Sequence, residues 1–339
     1  MATIKDIARR LNVSVSTVSY ALNDGPRRVP PAVRDRVVEA ARELGYRPNR
    51  AARSLITGRA HAIGVVPAEP ARDLARMGYF HAVFNGVVAA AEAEGQDVML
   101  LTRADADRAA DLDALVDGRV DGLIVLSPHL PSPAFDRMLQ AGVPFAAVST
   151  AAPEGFPSFG CDNAAGVGLA LDHLIGLGHQ RIGFLAGRRD MHDGEARNRA
   201  FRDALSVRGV SLEERWIAAG EFTTSGGEAA AAHVLSGGER PTALLAANDE
   251  SAYGALRWAA AHGLRVPQDL SIVGFDDAAF AAYLTPGLTT VGQPFDRMGG
   301  DALRAVVALV EGRPAVSQTY APHLVVRSST ASPSNEGNP

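Results

Sequence analysis

Apolar positions recur at two different periods along this 339-residue chain. Over the first 44 residues the period is helical. Ile4, Ile7, Ala8 and Leu11 fall on one face of a first helix. Val18, Ala21 and Leu22 line a second, running from Val15 to Leu22, and Val33, Val37, Val38, Ala41 and Leu44 line a third, from about Pro31 to Leu44. Thr3 and Ser14 stand where helix N-caps are expected, with Asp6 near the positive end of the first helix, and Gly45 ends the third. Asn12-Val13 is a tight turn, and Asp24-Gly25-Pro26 marks a loop. Arg47-Pro48-Asn49-Arg50 breaks the third helix. The stretch from Arg50 to Ile56 has room for two helical turns, too short to be stable alone in water, so it is expected to order only when something holds it.

From Ala62 onward, short continuous apolar runs alternate with helical stretches. The runs are Ile63–Val66, Val98–Leu101, Gly122–Val125, Phe145–Val148, Ile182–Leu185, Ala243–Ala246 and Leu270–Val273. Helical stretches lie at Val83–Glu94, Leu169–Leu177 and Ala252–Ala261, among others. Strands apolar on both faces, alternating with helices, indicate parallel sheets covered on both sides. Two such blocks, roughly 62–161 and 162–290, predict two doubly wound lobes with a cleft between them. The expected fold is an all-α head followed by an α/β body, with residues 331–339 as a disordered tail.

Charge sharpens this division. Residues 1–60 hold 12 Lys and Arg against five Asp and Glu, a net +7, so the remainder carries −12 of the total −5. A basic head on an acidic body suits a polyanion-binding module joined to something that is not one. The single cysteine, Cys161, excludes an internal disulfide and a multi-cysteine zinc site. No signal sequence opens the chain and no uncharged apolar run is long enough to span a bilayer, so a cytoplasmic protein with no membrane association is expected. There is no Walker-type loop, Gly-x-Ser-x-Gly elbow or His-Glu-x-x-His, and the nine histidines show no close pairing at metal-ligand spacing. Neither a metal nor a cofactor nor an enzymatic activity is expected, and His173 and His179 read as structural.

Two helices joined by a tight turn have the spacing of a helix-turn-helix, whose second helix enters the major groove. Val15, Ser16 and Tyr20 would then meet base edges: an apolar contact for a thymine methyl, a hydroxyl that bonds either way, and a phenol. The short polar residues Thr3, Ser14, Thr17, Ser19 and Asn23 suit phosphate contacts, which set register without reading sequence. Three packed helices with no role on DNA are common, so the pattern alone leaves that alternative open; the charge of the head favours DNA.

Thr3-Ile4-Lys5-Asp6-Ile7-Ala8, Val13-Ser14-Val15-Ser16-Thr17-Val18-Ser19 and Leu44-Gly45-Tyr46-Arg47-Pro48-Asn49 together resemble the head of the lactose/galactose-repressor (LacI/GalR) family. The likeness continues, in order, through Val120–Ile124, Leu177–Ile182, Ala247-Asn248-Asp249, Val273–Asp277 and Leu288–Val291. It implies a helix-turn-helix domain over 1–47, a hinge helix and linker over 48–60, and a periplasmic-binding-protein-like effector and dimerisation domain over 61–330. The lobes would be about 61–161 plus 292–321 and about 162–291 plus 322–330.

The resemblance also implies roles. Family hinges fold on operator DNA, pair across the dimer and push a leucine into the central minor-groove step; Arg50, Ala52 and Leu55 hold the matching positions. Phe80, Asp162, Arg197, Phe222, Asn248 and Asp276 match effector positions, with chemistry suited to a polyhydroxylated ligand. Blander roles remain for some of them: Asn248-Asp249 could cap a helix and Asp276-Asp277 a loop. The expected partners are a palindromic duplex operator, a sugar-like effector that releases the protein from it, and a second copy of the chain. The purine-type family members show the opposite sign of response. A solute-binding protein of the periplasmic type would share the body but leave residues 1–60 unexplained. Some positions depart from the family: Ala200 where glycine is common, Pro30-Pro31 at the start of the third helix, Ser149 where some sugar-binding members carry aspartate, and the charged run from Gly187 to Gly194, expected to shape one edge of the cleft.

Overall fold

The computed structural model describes residues 2–22, 29–46, 58–67, 78–102, 113 and 115–334. Asn23, Arg50, Ala52 and Leu55 lie outside the described residues. The chain divides into two compact units, Met1–Ala60 and His61–Pro339.

In the first unit, α1 (Ile4–Leu11), α2 (Val15–Leu22) and α3 (Pro31–Glu43) close around Ile7, Ala8, Val18, Ala21, Val37, Ala40 and Ala41. The Thr3 amide donates to Asp6 Oδ2 at 2.9 Å, fixing the start of α1. Asn12, in the left-handed region at φ 50°, turns the chain between α1 and α2, a conformation its short polar side chain tolerates. Ser14 Oγ accepts from the Thr17 amide at 3.0 Å and caps α2. Pro30-Pro31 suits a helix start, because Pro31 stands at the first helical position and its missing N–H would have no partner there anyway. The α3 stripe differs from expectation at one position. Val38 is 51% exposed and Ala40 is buried in its place, one helical turn from Val37 on the core side.

The second unit is built of two six-stranded sheets. The first lobe contains β1 (Ala62–Pro67), α4 (Gly78–Ala93), β2 (Asp97–Leu100), β3 (Gly122–Leu126), α5 (Pro133–Ala141), β4 (Phe145–Val148) and β5 (Ser158–Cys161). The chain then enters the second lobe through α6 (Asn163–Gly176), β6 (Ile182–Ala186), α7 (His192–Val207), β7 (Ile217–Ala219), α8 (Thr224–Leu235), β8 (Ala243–Ala246), α9 (Asp249–Ala261), β9 (Ser271–Asp276) and β10 (Thr289–Gly292). It returns to the first lobe for α10 (Phe295–Val310) and β11 (Gln318–Tyr320), and crosses once more to β12 (His323–Val325). The first sheet runs β11-β5-β4-β3-β1-β2, all parallel; the second runs β12-β10-β9-β8-β6-β7, with only β12 antiparallel.

The strands read as unbroken apolar runs because both faces are covered. Ile63, Val65, Ile124, Leu126, Ala146 and Val148 pack against α4 and α10. Their neighbours Val66, Leu123, Val125, Phe145 and Ala147 pack against α5 on the opposite side. In the second lobe, α6 and α7 cover one face and α8 and α9 the other. The α4–α10 pair approaches closely at Gly86, where a Cβ would lie 1.8 Å from the Asp296 carbonyl oxygen.

The expected disordered tail does not begin at Ala331, which is pinned to the second lobe. Its amide donates to Ser271 Oγ at 3.0 Å, and His179 Nε2 donates to its carbonyl at 2.9 Å. His179 is 1% exposed and its Nδ1 pairs with Thr242 Oγ1, while His173 pairs with Thr330, so both histidines hold this closing segment.

Candidate functional site

In an open α/β sheet the crevice forms where strand order reverses, at the carboxyl ends of the strands. Here the reversals lie between β1 and β3 in one sheet and between β6 and β8 in the other. The carboxyl ends of both sheets line a single cavity of about 580 Å³. Pro67, Ser127 and Ser149 reach it from the ends of β1, β3 and β4; Arg188, Phe222, Asn248 and Asp276 reach it from the ends of β6, β7, β8 and β9.

Its walls combine aromatic rings with buried polar groups. Tyr79 and Phe80, at the start of α4, come from the first lobe, with Tyr79 edge-on to Phe295 at 5.0 Å. The Ser127 hydroxyl donates to the Tyr79 oxygen at 2.9 Å, and burial pushes that phenol above its usual range. Ser149 Oγ is buried nearby and makes no well-formed hydrogen bond to the protein. Phe222 lies across Gly187, where any Cβ would strike its ring at 2.2 Å.

Arg197 organises the polar half. It is 3% exposed and stacks on Phe275, 4.0 Å from the ring centre. Its Nε donates to Asn163 Oδ1 at 2.8 Å, one terminal nitrogen donates to the Ala247 carbonyl at 2.6 Å, and the other reaches Asp193 Oδ2 at 3.4 Å. Asp276 Oδ1 lies 3.6 Å from it and accepts from Gln293 at 2.7 Å. Burial pushes the Asp276 carboxyl well above the usual carboxylate range, although Arg197 opposes the shift.

Two contacts cross the mouth of the cavity. Glu250 Oε1 accepts from the Gly78 amide, the first of α4, at 3.0 Å, while its Oε2 accepts from Asn248 Nδ2 at 2.8 Å. On the other side the Leu130 amide donates to the Asp190 carbonyl at 2.7 Å. The charged run between Gly187 and Gly194 therefore forms one edge of the cleft.

Backbone strain gathers at the same place. Among the described residues, Ser127, Ser149, Glu221, Phe222 and Asp276 line the cavity and have φ between 42° and 125°. Side chains held in that region cost energy that the surroundings must supply, which is characteristic of ligand-binding positions.

The family description "Bacterial regulatory proteins, lacI family" matches residues 3–49, and "Periplasmic binding protein-like domain" matches residues 171–330. The transcriptional regulator CelR of Thermobifida fusca is 34% identical over 335 residues, covering 96% of this chain and 98% of its own. The transcriptional repressor PurR of Erwinia tasmaniensis is 34% identical, covering 98% and 97%. The chain belongs to the LacI family of transcriptional regulators. Among solved structures, the Lac repressor dimer bound to operator and the anti-inducer ONPF superposes on this LacI-family regulator with a TM-score of 0.85 at 27% identity, covering 97% of this chain and 99% of that one. A CelR–cellobiose complex superposes with a TM-score of 0.75 at 31% identity, covering 97% and 100%.

Like its relatives, the LacI-family regulator is a DNA-binding protein rather than an enzyme. Among the described residues no cluster of metal-ligating side chains occurs, and no helix is long and apolar enough to cross a membrane. In its head, Val15, Ser16, Ser14 and Thr3 are exposed or half-buried, as are Thr17, Ser19 and Tyr20, so none of these side chains is lost to the core. Ser14 Oγ is 2.8 Å from both the Ser16 and Thr17 hydroxyls, so these three side chains form a hydroxyl cluster at the start of α2.

Of the six positions matched to effector binding, Phe80, Arg197, Phe222, Asn248 and Asp276 line the cavity. Asp162 does not. It is exposed and caps α6 by accepting from the Ala165 amide at 2.9 Å; the side chain that reaches Arg197 belongs to its neighbour, Asn163. Asn248 does two jobs, because its Oδ1 also caps α9 by accepting from Ser251 N at 3.0 Å. Tyr79, Ser127 and Glu250 were missed, and Asp193 entered only as part of the charged run from Gly187 to Gly194. Glu250 and Tyr79 adjoin recognised residues; Ser127 carries no local signal.

Asp249, one residue from the lining, is wholly buried. Thr290 Oγ1 lies 2.5 Å from its Oδ1, and the Ala278 amide donates to its Oδ2 at 2.7 Å. A Cβ at Gly274 would fall 2.1 Å from the same carboxylate, so glycine makes its space. Burial pushes the Asp249 carboxyl up to about 8. The fold thus favours its neutral form, a contribution fully present below the unfolded value near 3.8 and lost as pH rises through about 8. Asp249→Asn keeps an acceptor for Ala278 and a donor for Thr290. Urea melts across that window should show wild type losing stability with rising pH, by at most about 1.4 kcal/mol per pH unit from this group, and the variant losing less. Parallel curves would mean that Asp249 ionises as easily folded as unfolded.

Proposed function

We propose that this regulator represses genes of carbohydrate uptake or catabolism, binds a palindromic operator as a cytoplasmic homodimer, and is released by a small sugar-like effector held between its lobes. The inter-lobe cavity carries the proposal. Buried carboxylates and hydroxyls there can exchange hydrogen bonds with paired sugar hydroxyls, and the faces of Phe80 and Phe222 can cover apolar ring surfaces. The CelR–cellobiose complex, of the same fold, supports a sugar over other ligands. Residues 1–47 read the half-site, with Val15, Ser16 and Tyr20 on bases and Thr3, Ser14, Thr17, Ser19 and Asn23 on phosphates. Residues 48–60 form the hinge, with Arg50, Ala52 and Leu55 in the minor groove. Residues 61–330 hold the effector and the dimer contact. The ligand shifts DNA affinity only to the extent that it prefers one arrangement of the lobes.

Fluorescence anisotropy on a palindrome upstream of the neighbouring genes tests this. Cellobiose or another free sugar should weaken operator binding by about 5- to 150-fold at saturation. Tightening by a ligand would reverse the sign and favour a second reading, a purine-type corepressor, which the PurR relatives and the aromatic pair Tyr79-Phe80 support. Hypoxanthine and guanine belong in the same titration.

A further inference from the structure

The charges around the cavity are unevenly divided. Among the described residues three arginines line it, and each faces a carboxylate. Arg188 is held by both oxygens of Asp190, at 3.0 and 2.7 Å. Arg257 lies 3.6 Å from Glu228. Arg197 sits between Asp193 and Asp276, at 3.4 and 3.6 Å. Among the described residues four carboxyl groups also line the cavity directly: Asp193, Glu221, Glu250 and Asp276. The described arginines are therefore compensated before any ligand arrives, and carboxyl groups outnumber arginines among the described lining residues.

We infer that the cavity accepts an uncharged, hydroxyl-rich ligand and excludes the phosphorylated form of the same molecule. The inference rests on reading the cavity as the effector site. Carboxyl groups accept hydrogen bonds from hydroxyls, and a phosphate monoester offers almost none while adding roughly two negative charges to a lining whose described arginines are already paired. Like charges brought together in a desolvated site cost several kcal/mol. Arg197, the one deeply buried cation among the described lining residues, cannot turn to a phosphate without giving up Asp193, Asn163 and the Ala247 carbonyl. The signal is then the sugar as it exists before any kinase or phosphotransferase acts on it, and phosphorylation ends the signal.

The test is calorimetric titration of the full chain with matched pairs: cellobiose, glucose, ribose and inosine, each beside its monophosphate. Whichever neutral member binds, its phosphorylated partner should bind at least about 100-fold more weakly. Glu250→Gln, which keeps an acceptor for the Gly78 amide, should narrow that gap by about tenfold. A phosphorylated member that binds as tightly as its parent overturns the inference. Binding of inosine in preference to every free sugar, with inosine monophosphate excluded, removes the sugar reading and upholds the exclusion of the phosphate.

Discussion

Replacing Arg197 with alanine should lower the stability of the body by about 3–5 kcal/mol and abolish the effector response in the same variant. The guanidinium is buried between Asp193 and Asp276, stacked on Phe275 and bonded to Asn163 and the Ala247 carbonyl. Truncation leaves two carboxylates facing one another without a cation, together with an unfilled space over Phe275. The Asp276 carboxyl, already raised by burial, would rise further without the opposing arginine. Stability of the variant should therefore recover as pH falls, because the fold favours the neutral acid and that contribution is lost at higher pH. Adding Asp276→Asn should restore part of the loss at neutral pH. Urea denaturation followed by circular dichroism reads wild type and both variants. A loss below about 1 kcal/mol, or no rescue by Asp276→Asn, would mean that Arg197 acts through packing alone.

The second large effect belongs to the hinge. Leu55→Ala should weaken binding to the specific operator by about 30- to 100-fold while leaving non-specific duplex binding nearly unchanged. An apolar wedge acts only where a base step is opened at the centre of a correctly spaced site. Non-specific affinity comes from phosphate charge, which alanine leaves alone. Leu55 lies outside the described residues, so the expectation rests on its match to the family hinge. Anisotropy titrations on the operator and on a scrambled duplex, at one salt concentration, separate the two effects. Equal losses on both would rule out the wedge.

Much of the fold was legible because the central strands are covered on both faces: Ile63–Val66, Gly122–Val125 and Ala243–Ala246 are unbroken apolar runs in the sequence and buried strands in the structure. The edge strands β7, β11 and β12 were not. Each has three residues, is partly exposed, and owes its pairing to a neighbour distant in sequence. Val38 was misplaced because an apolar residue beside a core position satisfies a loose helical pattern without facing inward. At the site, five of the six positions matched to effector binding line the cavity, whereas the Asp162 carboxylate caps the helix and Asn163, one step on, turns towards Arg197. Tyr79, Ser127 and Glu250 meet only after both lobes are assembled, and no local pattern records such meetings.

The threading of the body has a consequence for how the regulator is made. The three helices of the head, Ile4 to Glu43, complete their core from sequence neighbours. The first lobe, by contrast, lacks α10 and β11 until residue 320 has been added, and the second lacks β12 until residue 325. Local contacts form early in synthesis, and distant ones wait for the chain. A ribosome therefore carries a finished head for most of the time it takes to make this protein, and the cavity between the lobes is the last part to close.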